Sequence, residues 1–380
     1  MFANKSYFTL FFLMLLAGNA ACSSERSSLA ATTSPINWQV ETLADELHRP
    51  WSIGFIDAET HLVTLRRGQL LIGSPGHYRP VANVPEVYAR GQGGLFDVLP
   101  APDFADSQRL YLSYAKPCDG GDDLATTAIA RGTLRDDALH DVETIFVAQP
   151  CESGGRHFGG RLLFDNAGML YLTTGDRGER QHSQRTSNTL GALVRLHADG
   201  TVPDDNPLVD QPERADALWS WGHRNAQGLA LHPDSGDIWL HEHGPRGGDE
   251  INLIQPGLNY GWPVVTHGRE YYGPRIGPTE KAGFESPLLH WTPSIAPSGM
   301  TFVTSPRYPD WQGDILVGAL AGTHVARVRF ENKQPVVHEQ LLADLGERIR
   351  DVRQGPDGHI YILTDSREGK VLRLIPPETD

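Results

Sequence analysis

The sequence predicts an all-β fold, a six-bladed β-propeller of four-stranded antiparallel blades. Three observations carry that prediction. One pattern recurs six times: an apolar pair, a turn carrying Asp, Pro or Gly, an alternating apolar strand, and a closing polar turn. The chain of 380 residues holds 40 glycines and 27 prolines, as many short strands joined by tight turns require. Helical periodicity is nearly absent, and only residues 42–47 and 340–345 read as helical turns.

The copies begin at Ile53 (IGFIDAETHLVTLRRGQLLIG), Gly94 (GLFDVLPAPDFADSQRLYLSYA) and Arg161 (RLLFDNAGMLYLTTGD). They continue at Gly228 (GLALHPDSGDIWLHEHG), Gly299 (GMTFVTSPRYPDWQGDILVGALAG) and Ile349 (IRDVRQGPDGHIYILTD). Their spacing of about 40 to 70 residues exceeds a hairpin and suits one four-stranded sheet per copy. Alternation in LYLTT, DIWLH, HIYIL and KVLRL reads as strands half buried between stacked sheets. A ring must close, and the early strand NWQVETL is expected to pair with the last blade near residues 370–374. The propeller then spans residues 37–376, with 377–380 as a tail.

Hydrophobic residues make up 39% of the chain, enough for a large core. The formal charge of -14, from 33 basic and 47 acidic residues, argues against nucleic acid or an anionic membrane as the main partner and favours a small ligand. Residues 1–22 read as a signal peptide: Lys5, an apolar run over 7–18, and small residues before Cys22. That run is too short to span a bilayer. Cys22 resembles a bacterial lipoprotein acylation site, although Asn19 is unusual three residues upstream; plain cleavage after Ala21 is the alternative. Residues 23–36 read as a flexible tether. An exported, periplasmic location permits disulfides, and Cys118 with Cys151, if paired, would close a loop worth roughly 3–4 kcal/mol on the chain-entropy model.

Five loops carry polar residues that a turn does not require. His157 sits among Gly154, Gly155, Gly159 and Gly160. Glycines around one imidazole free the backbone for positive φ and for close approach of a ligand, which makes His157 a candidate base. The competing reading is a core histidine holding one hydrogen bond. Gln92 occupies a second glycine loop, either facing a planar ligand or in an ordinary turn. Arg224, in GHRNAQG, offers a fork to a carboxylate or quinone oxygen, or else makes an inter-blade salt bridge. His241 and His243 face one way, as a transition-metal pair would, but no third ligand has matching spacing. Carbonyls at Gly244 and Pro245, with Asp249 and Glu250, suit a hard cation better. Arg348 and Arg350 share one face and imply an anionic ligand or a solvated strand edge.

The stretches HFGGRLLFDNAGMLYLTTGDRG, WSWGHRNAQGLALHPDSGDIWLHEHGPRGGDEINLI, GLNYGWPVVTHGREYYG, SIAPSGMTFV and ERIRDVRQGPDG together resemble the soluble aldose sugar dehydrogenases of the glucose/sorbosone dehydrogenase family. Those proteins are six-bladed propellers that use pyrroloquinoline quinone (PQQ). The likeness runs in order through nearly all of residues 37–376. It implies that His157 is the general base that takes the proton from the sugar's anomeric hydroxyl, while hydride passes from C1 to the quinone C5 and a lactone results. It implies that Gln92, Arg224, Asn225, Tyr271, Ala319, Leu320, Ala321, Arg348 and Arg350 hold PQQ, and that Arg224 also stabilises charge on the reduced quinone. Gly244 and Pro245 match carbonyl ligands of a Ca²⁺ beside the quinone. Glu250 and Tyr260 match a second, structural Ca²⁺ site, and Asp249 an acidic residue near the base.

One departure stands out. The glucose-specific relatives are expected to carry a lysine where this chain reads Ala319-Leu320-Ala321-Gly322, so the two arginines would carry more of the attraction for PQQ. Short loops suggest an open cleft and broad aldose use, with electrons passing to a quinone or other acceptor. Two rival classes stay open at this point: a metal-dependent propeller lactonase, and a non-catalytic binding propeller.

Overall fold

A computed structural model of the chain describes residues 30–33 and 38–377. The proposed signal peptide, Cys22 and most of the proposed tether and tail lie outside the described residues. Six antiparallel sheets follow one another along the chain. Blade 1 consists of strands Pro50–Phe55, His61–Leu65, Gln69–Ser74 and His77–Val81. Blade 2 consists of Leu95–Pro100, Arg109–Pro117, Leu124–Arg135 and Ala138–Val147, and blade 3 of Gly159–Phe164, Leu170–Thr174, Ala192–Leu196 and Leu218–Trp221. Blade 4 holds Ala226–Leu231, Ile238–Glu242, Asp249–Ile254 and Leu289–Trp291, and blade 5 holds Pro297–Phe302, Ile315–Ala319, His324–Glu331 and Gln334–Leu341. Blade 6 takes Ile349–Gln354, Ile360–Thr364 and Gly369–Ile375 from the C-terminal end and Gln39–Leu47 from the N-terminal end.

Each of the six repeated segments begins in or next to the first strand of its blade, and those first strands touch in sequence around a closed circle. Packing follows from period-2 alternation: the three inner strands of each blade bury residues on both faces, because a blade lies between two others, while outer strands such as Ala138–Val147 stay largely exposed. Leu162, Leu170, Leu172 and Val194 of blade 3 meet Tyr111 and Ile129 of blade 2 in one such seam. The expected closure is present, with Val40 paired to Leu374 and Thr42 to Leu372. Residues 42–47 are therefore strand, a correction of the helical-turn reading. Two irregularities in the pairing, between Thr42 and Ala44 and between Ala44 and Leu47, disturb the alternation that marks a strand. Of residues 340–345, the first two finish the strand Gln334–Leu341 and only Ala343–Leu345 forms a 3₁₀ turn. Thr32–Thr33, within the proposed tether, pairs parallel to Glu339 and Gln340 on the outer edge of blade 5.

An ionic cluster fills the axis. Arg161 of blade 3 reaches Asp351 of blade 6, on the opposite side of the ring, at 3.2 Å. Asp97 of blade 2 accepts from Ser52 Oγ at 2.5 Å, Arg353 Nη2 at 2.7 Å and the Leu162 amide at 3.0 Å. Two carboxylates thus face two guanidiniums, which is how buried charge is kept at tolerable cost.

Candidate active site

Directly above that cluster the first strands open into a cavity of about 300 Å³. All six blades contribute residues from the starts of their first strands: Trp51, Phe96, Gly159, Gln227, Ala296 and Arg350 stand on its wall, one from each blade in turn. The turns after the second strands add a second tier, with Arg66, His243, Leu320 and Asp365. Local sequence makes this possible, because the pairing of every first strand is irregular near its start. Such bulges turn side chains away from the sheet and toward the axis.

His157 lies just before Phe158 and Gly159, which line the cavity. Its φ is +51°, and its amide donates to Gln92 Oε1 at 2.8 Å. The ring Nδ1 lies 2.6 Å from Asp176 Oδ1, with the imidazole side chain 12% exposed. Asp176 is fixed in turn by Trp262 Nε1 at 2.8 Å and the Gly178 amide at 2.7 Å. A carboxylate on Nδ1 sets the tautomer that leaves Nε2 as the basic nitrogen. Burial, assisted by the charge of Arg224, holds His157 below the usual imidazole value against the opposing pull of Asp176. Burial works to raise Asp176, but its bonds from His157 and Gly178 and the nearby Arg224 outweigh that and hold it below the usual carboxylate value. The pair is thus a neutral imidazole on an ionised carboxylate, the state a general base needs.

The expected positive φ is present at Gly154, Gly159 and Gly160, and Gly159 lines the cavity, while neighbouring glycines allow close approach of backbone. A Cβ on Gly91 would come within 2.4 Å of the Gly155 carbonyl, and one on Gly175 within 2.1 Å of the His157 carbonyl. They let the Gln92 and His157 loops lie backbone to backbone. Arg177 completes the clamp: it donates to the carbonyls of Gly154, at 2.6 Å, and Arg156, and lies 3.5 Å over the Phe158 ring. Buried without a carboxylate partner in hydrogen-bond range, it is pulled down to about 10. The Cys118–Cys151 disulfide, with Cα atoms 6.4 Å apart, ties down the start of the same loop.

Arg224 sends Nη1 to the carbonyls of His243 and Gly244 at 3.2 and 2.9 Å, and Nη2 to the Tyr271 hydroxyl at 3.3 Å. Its guanidinium stacks 5.4 Å from the centre of Trp262. Asn225 lines the cavity, as do Gln92, Arg348, Arg350 and Leu320. Arg348 donates to the Leu320 carbonyl at 2.9 Å, and Arg348 and Arg350 share Asp365 at 3.4 and 3.1 Å. Ala319 and Ala321 flank Leu320 without lining the cavity, and Tyr271 is 67% exposed on the outer side of Arg224.

Glu250 pairs across the strands with Glu242, and both line a pocket of about 10 Å³ together with Tyr260, Gly244 and Thr266. Burial and then the charge of Glu242 push Glu250 well above the usual carboxyl value. The Tyr260 hydroxyl is engaged with the Leu253 carbonyl. Asp249 is not the carboxylate on the base. It accepts from the amides of Gly244, Ile295 and Ala296 and from Ser294 Oγ at 2.7–2.9 Å, so it braces the connection from blade 4 to blade 5. His241 is fully buried inside blade 4, while His243 Nε2 meets the Pro297 carbonyl at 2.6 Å, so these two do not form a metal pair.

The model of the Glucose / Sorbosone dehydrogenase family matches residues 47–373. The chain belongs to that family. It is 44% identical over 358 residues to Aldose sugar dehydrogenase YliI of Escherichia coli (strain K12), a match spanning 92% of this chain and 96% of that protein. The crystal structure of the soluble aldose sugar dehydrogenase of Escherichia coli in the apo-form superposes with a TM-score of 0.86 at 43% identity, over 90% of this chain and 100% of that one. The PQQ-bound form of the aldose sugar dehydrogenase of Streptomyces coelicolor gives 0.74 at 25% identity, over 90% and 99%. As a member of the glucose/sorbosone dehydrogenase family, the chain is an oxidoreductase.

Within this family member, several site residues escaped the sequence reading. Asp176 sat in a turn, TTGDRG, that read as ordinary. Its signal is position, two residues past a strand that pairs with the His157 strand. Arg49 precedes the first repeated segment and Arg66 sits in its turn beside Arg67, neither singled out as a site residue, yet both line the cavity. They add cations near the loop where a lysine was missed.

Proposed function

We propose that this oxidoreductase is a PQQ- and Ca²⁺-dependent aldose dehydrogenase that oxidises the sugar at C1 to the lactone. One observation carries the proposal: an imidazole locked by Asp176 stands at the edge of a cavity lined by Arg49, Arg66, Arg348 and Arg350, with Asp365 the only carboxylate on its wall among the described residues. Four guanidiniums against one carboxylate suit a flat polyanion, and PQQ is a tricarboxylate. Buried Arg350, whose Nε has no hydrogen-bond partner, retains donor capacity for such a ligand. Trp51, Phe96, Phe158 and Leu320 supply apolar wall for its rings.

In the mechanism, His157 Nε2 takes the proton of the anomeric hydroxyl as the C1 hydrogen leaves with its electron pair. Bound PQQ supplies the quinone that accepts that hydride. Asp176 keeps Nδ1 protonated and stabilises the imidazolium that forms. Arg224, freed from its carbonyl contacts, offers positive charge where negative charge develops. Arg348 and Arg350 orient the cofactor's carboxylates. Electrons then pass to a quinone or other acceptor.

For calcium, Glu250 beside a pocket of about 10 Å³ is the carboxylate with room for a cation, which would favour its ionised form, whereas Glu242 across the strands is already engaged by His223 Nδ1 at 2.7 Å and the Arg224 amide at 2.5 Å. At Gly244–Pro245 a cation would take the Gly244 carbonyl now held by Arg224. The disulfide supports an exported, periplasmic location, with a lipid anchor at Cys22 as the proposed tie to a membrane. The test is reconstitution. Purified protein given PQQ and Ca²⁺ should reduce a dye in the presence of aldoses and release lactone, and absence of dye reduction with every aldose tried would end the proposal.

A further inference from the structure

On the outer side of Arg224 lies a second cavity, of about 700 Å³, lined by Pro245, Arg246, Arg269, Tyr271, Thr292 and Ser294. Its wall residue Tyr271 has its hydroxyl on Arg224, which borders the small pocket beside Glu242, and its carbonyl accepts from Arg246 Nη1 at 3.3 Å. An antiparallel bridge holds Arg269 beside Arg275. Three exposed arginines therefore lie on these loops, two of them, Arg246 and Arg269, on the cavity wall. Among the described residues no carboxylate forms an ion pair with any of them, and the acidic residue on the same loop, Glu270, is held by Arg180 at 2.7 and 3.2 Å.

On a chain of charge -14 such an uncompensated basic hollow runs against the general field. Mutual repulsion of the guanidiniums is relieved by an anion, and their planar forks match a carboxylate or a phosphate. The cofactor cradle already has its own arginines on the other side of Arg224, so this cavity is free for the substrate. The exposed rings of Tyr271 and Tyr272 add flat apolar faces for a sugar ring beside it.

We propose that this cavity is a subsite for an anionic group on the sugar, so that aldoses bearing a carboxylate or phosphate remote from C1 are preferred over neutral ones. The inference rests on the dehydrogenase reading above, but it is tested separately. PQQ- and Ca²⁺-loaded enzyme is assayed with glucose, glucuronate and glucose 6-phosphate, using one acceptor throughout so that ratios report only the sugar. For at least one anionic sugar, kcat/KM should exceed that for glucose. The double variant Arg246→Gln, Arg269→Gln should lower that ratio about threefold to tenfold, as loss of two exposed ion pairs implies, with glucose turnover unchanged. High salt should compress the ratio in the parent enzyme. Whichever anionic sugar responds identifies the group as carboxylate or phosphate. Ratios that are the same in parent and double variant for both anionic sugars would overturn the subsite. Binding of the same sugars, followed by tryptophan fluorescence, separates the two readings. If no aldose is oxidised, the dehydrogenase reading fails; tighter binding of an anionic sugar that the double substitution weakens still upholds the subsite, and equal binding overturns it.

Discussion

His157 Nδ1 and Asp176 Oδ1 lie 2.6 Å apart although 19 residues separate them, because one precedes the first strand of blade 3 and the other follows the second. Antiparallel pairing of Gly159 with Thr174 returns the chain to the same end of the blade. The hairpin is therefore the device that brings imidazole and carboxylate together.

Asp176→Asn keeps the shape of that pair and removes its charge. Turnover should fall about 100-fold, within the range of general-base catalysis. Asp176 raises the His157 value, so its loss lowers that value further, and the acid limb of kcat/KM should move to lower pH. A pH–rate profile of the holoenzyme checks this; an acid limb moving to higher pH would contradict the pairing.

Arg177 holds the carbonyls of Gly154 and Arg156 and so fixes the loop before His157. Arg177→Met should lower kcat about tenfold or more, since misplacing a reacting group by an ångström is that harmful, with a smaller change in KM. Arg177→Lys, which keeps the charge and one donor direction, should recover part of the loss. Equal kcat in the parent and Met variant would assign the residue a packing role alone.

Among the described residues Arg66 has no ion-pair partner, unlike Arg348 and Arg350 with Asp365. Arg66→Ala should raise the PQQ concentration needed for half-reconstitution about tenfold, or 1.4 kcal/mol. Thermal unfolding of the apoprotein should hardly change. An unaltered titration midpoint would remove Arg66 from the cofactor cradle.

Cys151→Ser opens a loop whose ends are 33 residues apart. Urea unfolding of the variant should show a loss of about 3–4 kcal/mol, which a reductant reproduces in the parent and leaves unchanged in the variant.

Much of this was legible because the repeats carry their own punctuation. Each copied segment begins in or beside a first strand, so blade number and closure could be read directly. His157, Arg224 and the paired arginines stood out as polar residues in loops that needed none. What stayed hidden depends on the ring itself. Arg49 and Arg66 reach the cavity because they sit just before the first strand and just after the second strand of blade 1, and nothing local distinguishes them from surface arginines. Asp176 looked like a turn residue because its partner arrives through strand pairing. Asp249 matched, by resemblance, an acidic residue near the base, yet its oxygens are taken by three backbone amides and the Ser294 hydroxyl. Residues 42–47 misled because an edge strand with two bulges loses its alternation.

The Arg161–Asp351 contact spans the ring below the cavity and, with Asp97 and Arg353, shuts the axis to traffic from beneath. On the proposed dehydrogenase function, sugar and electron acceptor would then share one entrance and react in turn with the enzyme, so double-reciprocal plots at several acceptor levels should run parallel.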